Sequence, residues 1–160
     1  MILGAGDQGG IMEAETRLIA GDLIIQEDCG NIDWDAVRGC LRAVGMAYRD
    51  PELHRRAFLN SFAVVFLRNG EQLIGFGRAI SDGAYQAAIY DVAVSPPYQR
   101  RGLGMLIMER MLARISHCNV ILYANPGRED FYLRLGFRPM RTGMAKYLKP
   151  AVMKERGLIS

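Results

Sequence analysis

Val92-Ala93-Val94-Ser95-Pro96-Pro97-Tyr98-Gln99-Arg100-Arg101-Gly102-Leu103-Gly104 is the stretch on which the fold turns. An apolar run rich in valine ends at Ser95-Pro96-Pro97, and a basic turn follows. From there Leu103, Leu106, Ile107, Met111, Leu112 and Ile115 recur at helical spacing. A strand therefore feeds a helix through a tight loop. The amides of such a turn, and of the first helical turn, have no partner within the helix, and the helix dipole adds positive potential. Gly102 and Gly104 lack a Cβ, so an anion can come close to the backbone. Arg100 and Arg101 add charge. The pattern predicts a pyrophosphate cradle. It is not a triphosphate loop, since no Gly-Lys-Ser/Thr follows. A basic turn whose glycines serve geometry alone is the alternative reading.

Working outward, Tyr85 to Val94 reads as a long strand. Phe62 to Leu67 and Leu73 to Ile80 read as two more, joined by the Asn69-Gly70 hairpin signal and followed by the Asp82-Gly83 turn. Upstream, Leu23 to Gln26 is a first strand. Asn31 or Asp33 can cap a helix carrying Trp34, Val37, Leu41 and Val44, and Asp50-Pro51-Glu52 opens a second with Leu53, Ala57 and Phe58. Downstream, Val120 to Tyr123 is a candidate buried strand and Asp130 to Leu135 a short helix. Gly136-Phe137 leads to two weaker strands, near Arg138 to Met140 and Met144 to Leu148. The expected fold class is mixed α/β. The central sheet is mostly antiparallel, locally parallel where the third helix crosses over, and flanked by about four helices.

The chain has 160 residues, of which 50% are hydrophobic and 23% charged. A domain of about 150 residues can bury roughly 70% of its unfolded surface, so a single domain over 22–160 is expected, with 1–21 as a flexible tail. The net charge of +3 is spread along the chain, and no basic arm predicts nucleic-acid binding. Cys29, Cys40 and Cys118 are odd in number and show no Cys-x-x-Cys spacing. They read as buried free thiols rather than a disulfide framework or a zinc site, and no metal is expected. No apolar stretch approaches the ~20 residues that cross a bilayer, and no signal peptide is visible. Membrane association is therefore not expected, and the cytoplasm is the expected location.

Gly4-Ala5-Gly6-Asp7-Gln8-Gly9 matches Gly-x-Gly-x-x-Gly. That motif binds a dinucleotide only between a strand and a helix. Only Met1, Ile2 and Leu3 precede it, and no apolar stripe follows. Met12 is an alternative start.

Two further stretches extend the argument. Gln99-Arg100-Arg101-Gly102-Leu103-Gly104 matches the Q/R-x-x-G-x-G/A pattern of the GNAT acetyltransferases, and Phe131-Tyr132-Leu133-Arg134-Leu135-Gly136-Phe137 resembles that family's F-Y-x-x-x-G-F. Asn125 stands seven residues before Tyr132, as the family's pantetheine-contacting Asn often does. The resemblance runs from about Phe62 to Leu148, and Ile89 to Gly104 looks most like glucosamine-phosphate acetyltransferases.

The resemblance implies a GNAT fold whose sheet splays beside the strand ending at Val94, with acetyl-CoA as acetyl donor. By similarity, the backbone around Val92, Ala93 and Val94 meets the pantetheine arm. Gln99, Arg100, Arg101, Gly102, Leu103 and Gly104 form the pyrophosphate loop, and Asn125 also touches the arm. Tyr132 is the candidate acid for the departing CoA thiolate, since a phenol of pKa about 10 holds its proton at neutral pH. Its alternative is packing. Asp91, where glucosamine-phosphate-type relatives carry an Asp, is a candidate base. On a regular strand Tyr90 and Asp91 face opposite ways, and a bulge could redirect either. His54 and His117 read as surface or interface residues.

The implied activity is direct acetyl transfer to a primary amine, taken as a small molecule, in a ternary complex. A non-catalytic CoA-binding module and a protein or peptide acetyltransferase are the alternatives, and a homodimer is left open. Trp34, Tyr48, Tyr85 and Tyr90, with Asp50, Glu52 and Asp82, could wall an acceptor pocket or be core and surface groups.

Overall fold

The computed structural model describes residues 23–160. The tail, Gly4 to Gly9 and Met12 lie outside the described residues. Two compact units are present, one ending at Ile121 and the other spanning Leu122–Ser160. The first holds β1 (Leu23–Gln26), α1 (Trp34–Ala43), α2 (Pro51–Leu59), β2 (Ala63–Asn69), β3 (Gln72–Ser81), β4 (Gln86–Val94), α3 (Leu103–Arg114) and β5 (Asn119–Ile121). The second holds α4 (Glu129–Arg134) and α5 (Pro150–Glu155).

The expected helix starts are the observed ones. Asp33 Oδ1 accepts from the Asp35 and Ala36 amides at 3.0 and 3.1 Å, and Asp50 Oδ1 accepts from Glu52 at 3.0 Å ahead of Pro51. Each cap satisfies amides that the helix leaves without a partner. The strands lie in the order β1-β2-β3-β4-β5, antiparallel throughout except for the parallel β4–β5 pair. The mixed, mostly antiparallel sheet is as expected.

Gly75-Phe76-Gly77 in β3 shows how the layers are divided. Phe76 joins Phe66, Val64 and Ala93 with Val37, Cys40 and Leu41 of α1 and Phe58 of α2 in one cluster. The Phe58 ring lies 5.2 Å from Phe66 and 5.8 Å from Phe76. Each fully buried phenylalanine contributes about 1.5–3 kcal/mol. Side chains alternate along a strand, so the two glycines face the other layer. A Cβ on Gly77 would stand 2.8 Å from Ile107 Cγ2 and 2.9 Å from Met111 Cε. Helix α3 thus rests on bare backbone, and the glycines set how closely it approaches β3.

The C-terminal third departs from expectation. Neither weak strand forms: Arg138–Met140 and Met144–Leu148 carry no ladder. Pro139 has no N–H to give a ladder, and Met144 and Leu148 are fully exposed, so no buried face holds a strand there. Helix α5 appears instead, opened by Pro150 at its first turn. Strand β5 stops at Ile121, and with Ile121 and Tyr123 both exposed it is a short edge strand rather than a buried one. The three thiols are free, yet only Cys40 is buried, because it lies on the core face of α1.

Candidate functional site

Strand β4 runs on to Val94, whereas its ladder with β5 ends at the Ala88↔Ile121 pair. Past that point β4 has no strand partner on the β5 side among the described residues. The chain then makes a 3₁₀ turn over Pro96–Tyr98. Arg100 (φ 62°) and Gly102 (φ 78°) both take the left-handed region, and such residues curl successive amides into anion-binding concavities. Gly102 caps α3 with no side chain bonded to the cap, and the first turn carries no acid. The first regular bond runs from the Leu106 amide to the Gly102 carbonyl at 3.0 Å. The helix N-terminus, with its positive dipole end, thus has no side-chain cap.

The loop is held at both ends. Gln99 Nε2 donates to the Val94 carbonyl at 2.9 Å, and the Ser95 amide to the Ile74 carbonyl at 2.8 Å. The Tyr98 hydroxyl donates to Gln72 Oε1 at 2.9 Å and accepts from Asn69 Nδ2 at 3.3 Å. The Arg101 guanidinium lies 5.6 Å from the Tyr98 ring centre. Ala93 and Leu103 are buried, so their side chains belong to the core and only their backbone can serve a ligand. Gln99, Arg100 and Gly102 are exposed, and Val92, Val94, Arg101 and Gly104 are half-buried.

A bulge interrupts β4. Arg78 pairs with Tyr90 and Phe76 with Ala93, so the single residue Gly77 stands opposite both Asp91 and Val92. Asp91 takes a positive φ of 55°. Strict alternation would separate Tyr90 from Asp91. The extra residue brings both to one cation: Arg78 Nε donates to Asp91 Oδ2 at 2.5 Å, and its guanidinium lies 5.1 Å from the Tyr90 ring and 5.8 Å from Phe58.

His54, read as a surface or interface residue, is buried, because it shares the core face of α2 with Phe58 four residues on. That spacing was the available signal. Its Nε2 accepts the Arg49 amide at 2.9 Å, which leaves the ring proton on Nδ1. Burial pushes its pKa down, Asp91 pulls it up, and Arg78, Arg49 and Arg38 push it down further.

Asn125 and Tyr132 belong to the second unit. The Asn125 carbonyl accepts from the Arg128 amide at 3.0 Å across Pro126-Gly127, a tight turn. Tyr132 sits in the last turn of α4. The Phe137 amide bonds the Tyr132 carbonyl and the Gly136 amide bonds the Leu133 carbonyl, both at 3.1 Å, with Gly136 at φ 87°. This is a left-handed helix stop. It brings the Phe137 ring 6.1 Å from Tyr132, while Phe131 lies 5.0 Å away on T-shaped geometry. The Gly-Phe ending therefore fixes the tyrosine ring. Burial pushes the Tyr132 phenol above its ordinary pKa, so its proton is retained at neutral pH.

Most of the supposed acceptor residues have structural work. Trp34 packs on Phe58 and Phe66, Asp50 caps α2, and Glu52 pairs with Arg55 at 2.9 Å. Asp82 Oδ1 accepts three amides, from Ala84, Tyr85 and Gln86, and closes the β3–β4 turn. Tyr48 and Tyr85 are exposed. Among the described residues, no cluster of three His, Cys, Asp or Glu side chains could hold a metal, and no helix is long and apolar enough to cross a membrane.

Residues 30–137 match the family model of the acetyltransferase (GNAT) family. The chain is 33% identical over 131 residues to serotonin N-acetyltransferase 2, chloroplastic, of Oryza sativa subsp. japonica. That alignment covers 77% of this chain and 65% of the rice protein, so the chain spans less than two thirds of this relative. A Staphylococcus aureus protein of unknown function, named a probable acetyltransferase, superposes with a TM-score of 0.72 at 27% identity, over 80% of this chain and 99% of that one. Glucosamine-6-phosphate N-acetyltransferase of Arabidopsis thaliana shares the fold, with a TM-score of 0.59 at 16% identity over 79% of this chain and 99% of that one. The chain belongs to the GNAT acetyltransferase family.

Proposed function

We propose that the protein is an N-acetyltransferase that passes the acetyl group of acetyl-CoA directly to the primary amine of a small molecule within a ternary complex. The observation that carries this reading is the uncapped N-terminus of α3, entered through left-handed Arg100 and Gly102 where β4 has outrun β5. Such a terminus suits a pyrophosphate, and two arginines complement its charge. A thioester supplies an acyl carbon open to attack by a neutral amine. The loop from Gln99 to Gly104 holds the phosphates, and the Val92 to Val94 backbone orients the arm, as does Asn125. Tyr132 donates its phenolic proton to the thiolate that departs, and water takes the proton lost by the amine. A small amine is favoured by the resemblance to a relative named for serotonin.

Thiol release from acetyl-CoA, measured with an arylalkylamine, an amino-sugar phosphate and a lysine peptide, tests the reading. Turnover with either small amine is expected. Turnover with the peptide alone moves the acceptor to protein. Acetyl-CoA binding without turnover makes the chain a non-catalytic binding module.

A further inference from the structure

We propose that Arg78 and Asp91 are a positioning pair: their contact locks the β4 bulge and so fixes the Val92 backbone beside the place where β4 and β5 part. The consequence for acetyl-CoA rests on the proposed function; the lock itself does not.

The register leaves Gly77 to face two residues, Asp91 and Val92. Gly77 cannot brace them with a side chain, since Ile107 and Met111 fill that face. Bracing has to come from the opposite face, and Arg78 supplies it. Its guanidinium is held between the Tyr90 and Phe58 rings while its Nε reaches the Asp91 carboxylate. Both side chains are mostly buried, at 17% and 22% exposure, so the pair is shielded from the screening that weakens surface ion pairs. Asp91 stands in a conformation that side-chain-bearing residues avoid, though Asp and Asn tolerate it better than others. A strained residue persists where its surroundings over-determine it, and such sites cluster at functional positions. The carboxylate is thereby engaged as an anchor. The charged and titratable groups around it are Arg78 from β3 and His54 from α2, the latter sensing Asp91 electrostatically.

The test combines hydrogen exchange of residues 89–94 with acetyl-CoA kinetics. Arg78→Gln and Asp91→Ala are expected to speed exchange in 89–94 by tenfold or more, leaving the α3 amides from Ile107 to Met111 unchanged. They should raise KM for acetyl-CoA about tenfold, with kcat reduced less and its pH profile in place. Asp91→Asn, which tolerates a positive φ and can still accept from Arg78 Nε, should recover most of what Asp91→Ala loses. Should Arg78→Gln fail to fold, Arg78→Lys, which keeps charge but not the fork, is expected to show the same local exchange in weaker form. Unchanged exchange in Asp91→Ala overturns the lock. So does a kcat loss of a hundredfold or more that Asp91→Asn does not relieve and that removes the acidic limb of the pH profile, which would make Asp91 the base. A parent protein without acetyl-CoA turnover would overturn the proposed function, while the exchange measurement still decides the lock.

Discussion

The side-chain amide of Gln99 donates to the backbone carbonyl of Val94 at 2.9 Å, tying the start of the Gln99 to Gly104 loop to the end of the strand that feeds it. The six residues from Val94 to Gln99 therefore form a closed ring. Gln99→Ala should weaken acetyl-CoA binding several-fold by freeing this loop, with little change in the melting temperature. Calorimetric titration of parent and variant measures both halves of that expectation. Equal affinities would show that the loop holds its shape without Gln99.

Gly102 occupies the left-handed cap of α3. Valine there is strained by its branched Cβ and would stand where an anion must approach. Gly102→Val is expected to abolish acetyl-CoA binding while leaving the fold intact by circular dichroism. Normal binding by this variant would mean that the cradle lies elsewhere.

Gly77→Ala places a methyl group within 3 Å of the Ile107 and Met111 side chains. Those ends can shift, so the cost should be that of moderate overpacking, roughly 1–3 kcal/mol. Urea unfolding monitored by Trp34 fluorescence gives the number. An unchanged midpoint would show that α3 yields freely.

His54 is neutral in the folded protein because burial and nearby arginines depress its pKa. The unfolded chain, with a histidine pKa of about 6.5, binds that proton more readily. Stability from this group is therefore full above pH ~6.5 and is lost as pH falls toward the folded-state value. His54→Gln, which can still accept the Arg49 amide, should flatten the stability profile between pH 6.5 and 5. A profile identical to the parent's would assign the acid loss to other groups.

Tyr132→Phe keeps the ring between Phe131 and Phe137 and removes the phenolic proton. If that proton goes to the departing thiolate, kcat should fall about 10²-fold or more with KM for acetyl-CoA nearly constant. Because burial raises its pKa, the parent should keep this acid function through alkaline pH. The deficit should shrink with a thioester of a more acidic thiol. Undiminished turnover would leave water as the acid and Tyr132 as packing.

The site was legible where its geometry is local. The cradle lies within thirteen consecutive residues, and its glycines and arginines announce a strand-to-helix turn that can receive an anion. The caps at Asp33 and Asp50 and the turn at Asn69-Gly70 are equally local, since each bonds only a few residues away. The Pro150 helix start is a signal of the same local kind, whereas the two weak strands expected near Arg138 to Met140 and Met144 to Leu148 find no partner strand among the described residues.

Sequence alone thus determined the order of elements from β1 to α4, the mixed sheet and the family, because periodicity and capping act over one or two turns of chain. Tertiary structure decided the rest. The bulge exists because Gly77 must face two residues of β4, and only that register brings Asp91 and Tyr90 to Arg78. His54 is buried and neutral because α2 turns it inward beside Phe58. Trp34 packs on the core, Asp50 caps α2 and Asp82 closes the β3–β4 turn. Each of these depends on a neighbour that pairing and packing supply, and no local pattern in the chain encodes which neighbour arrives.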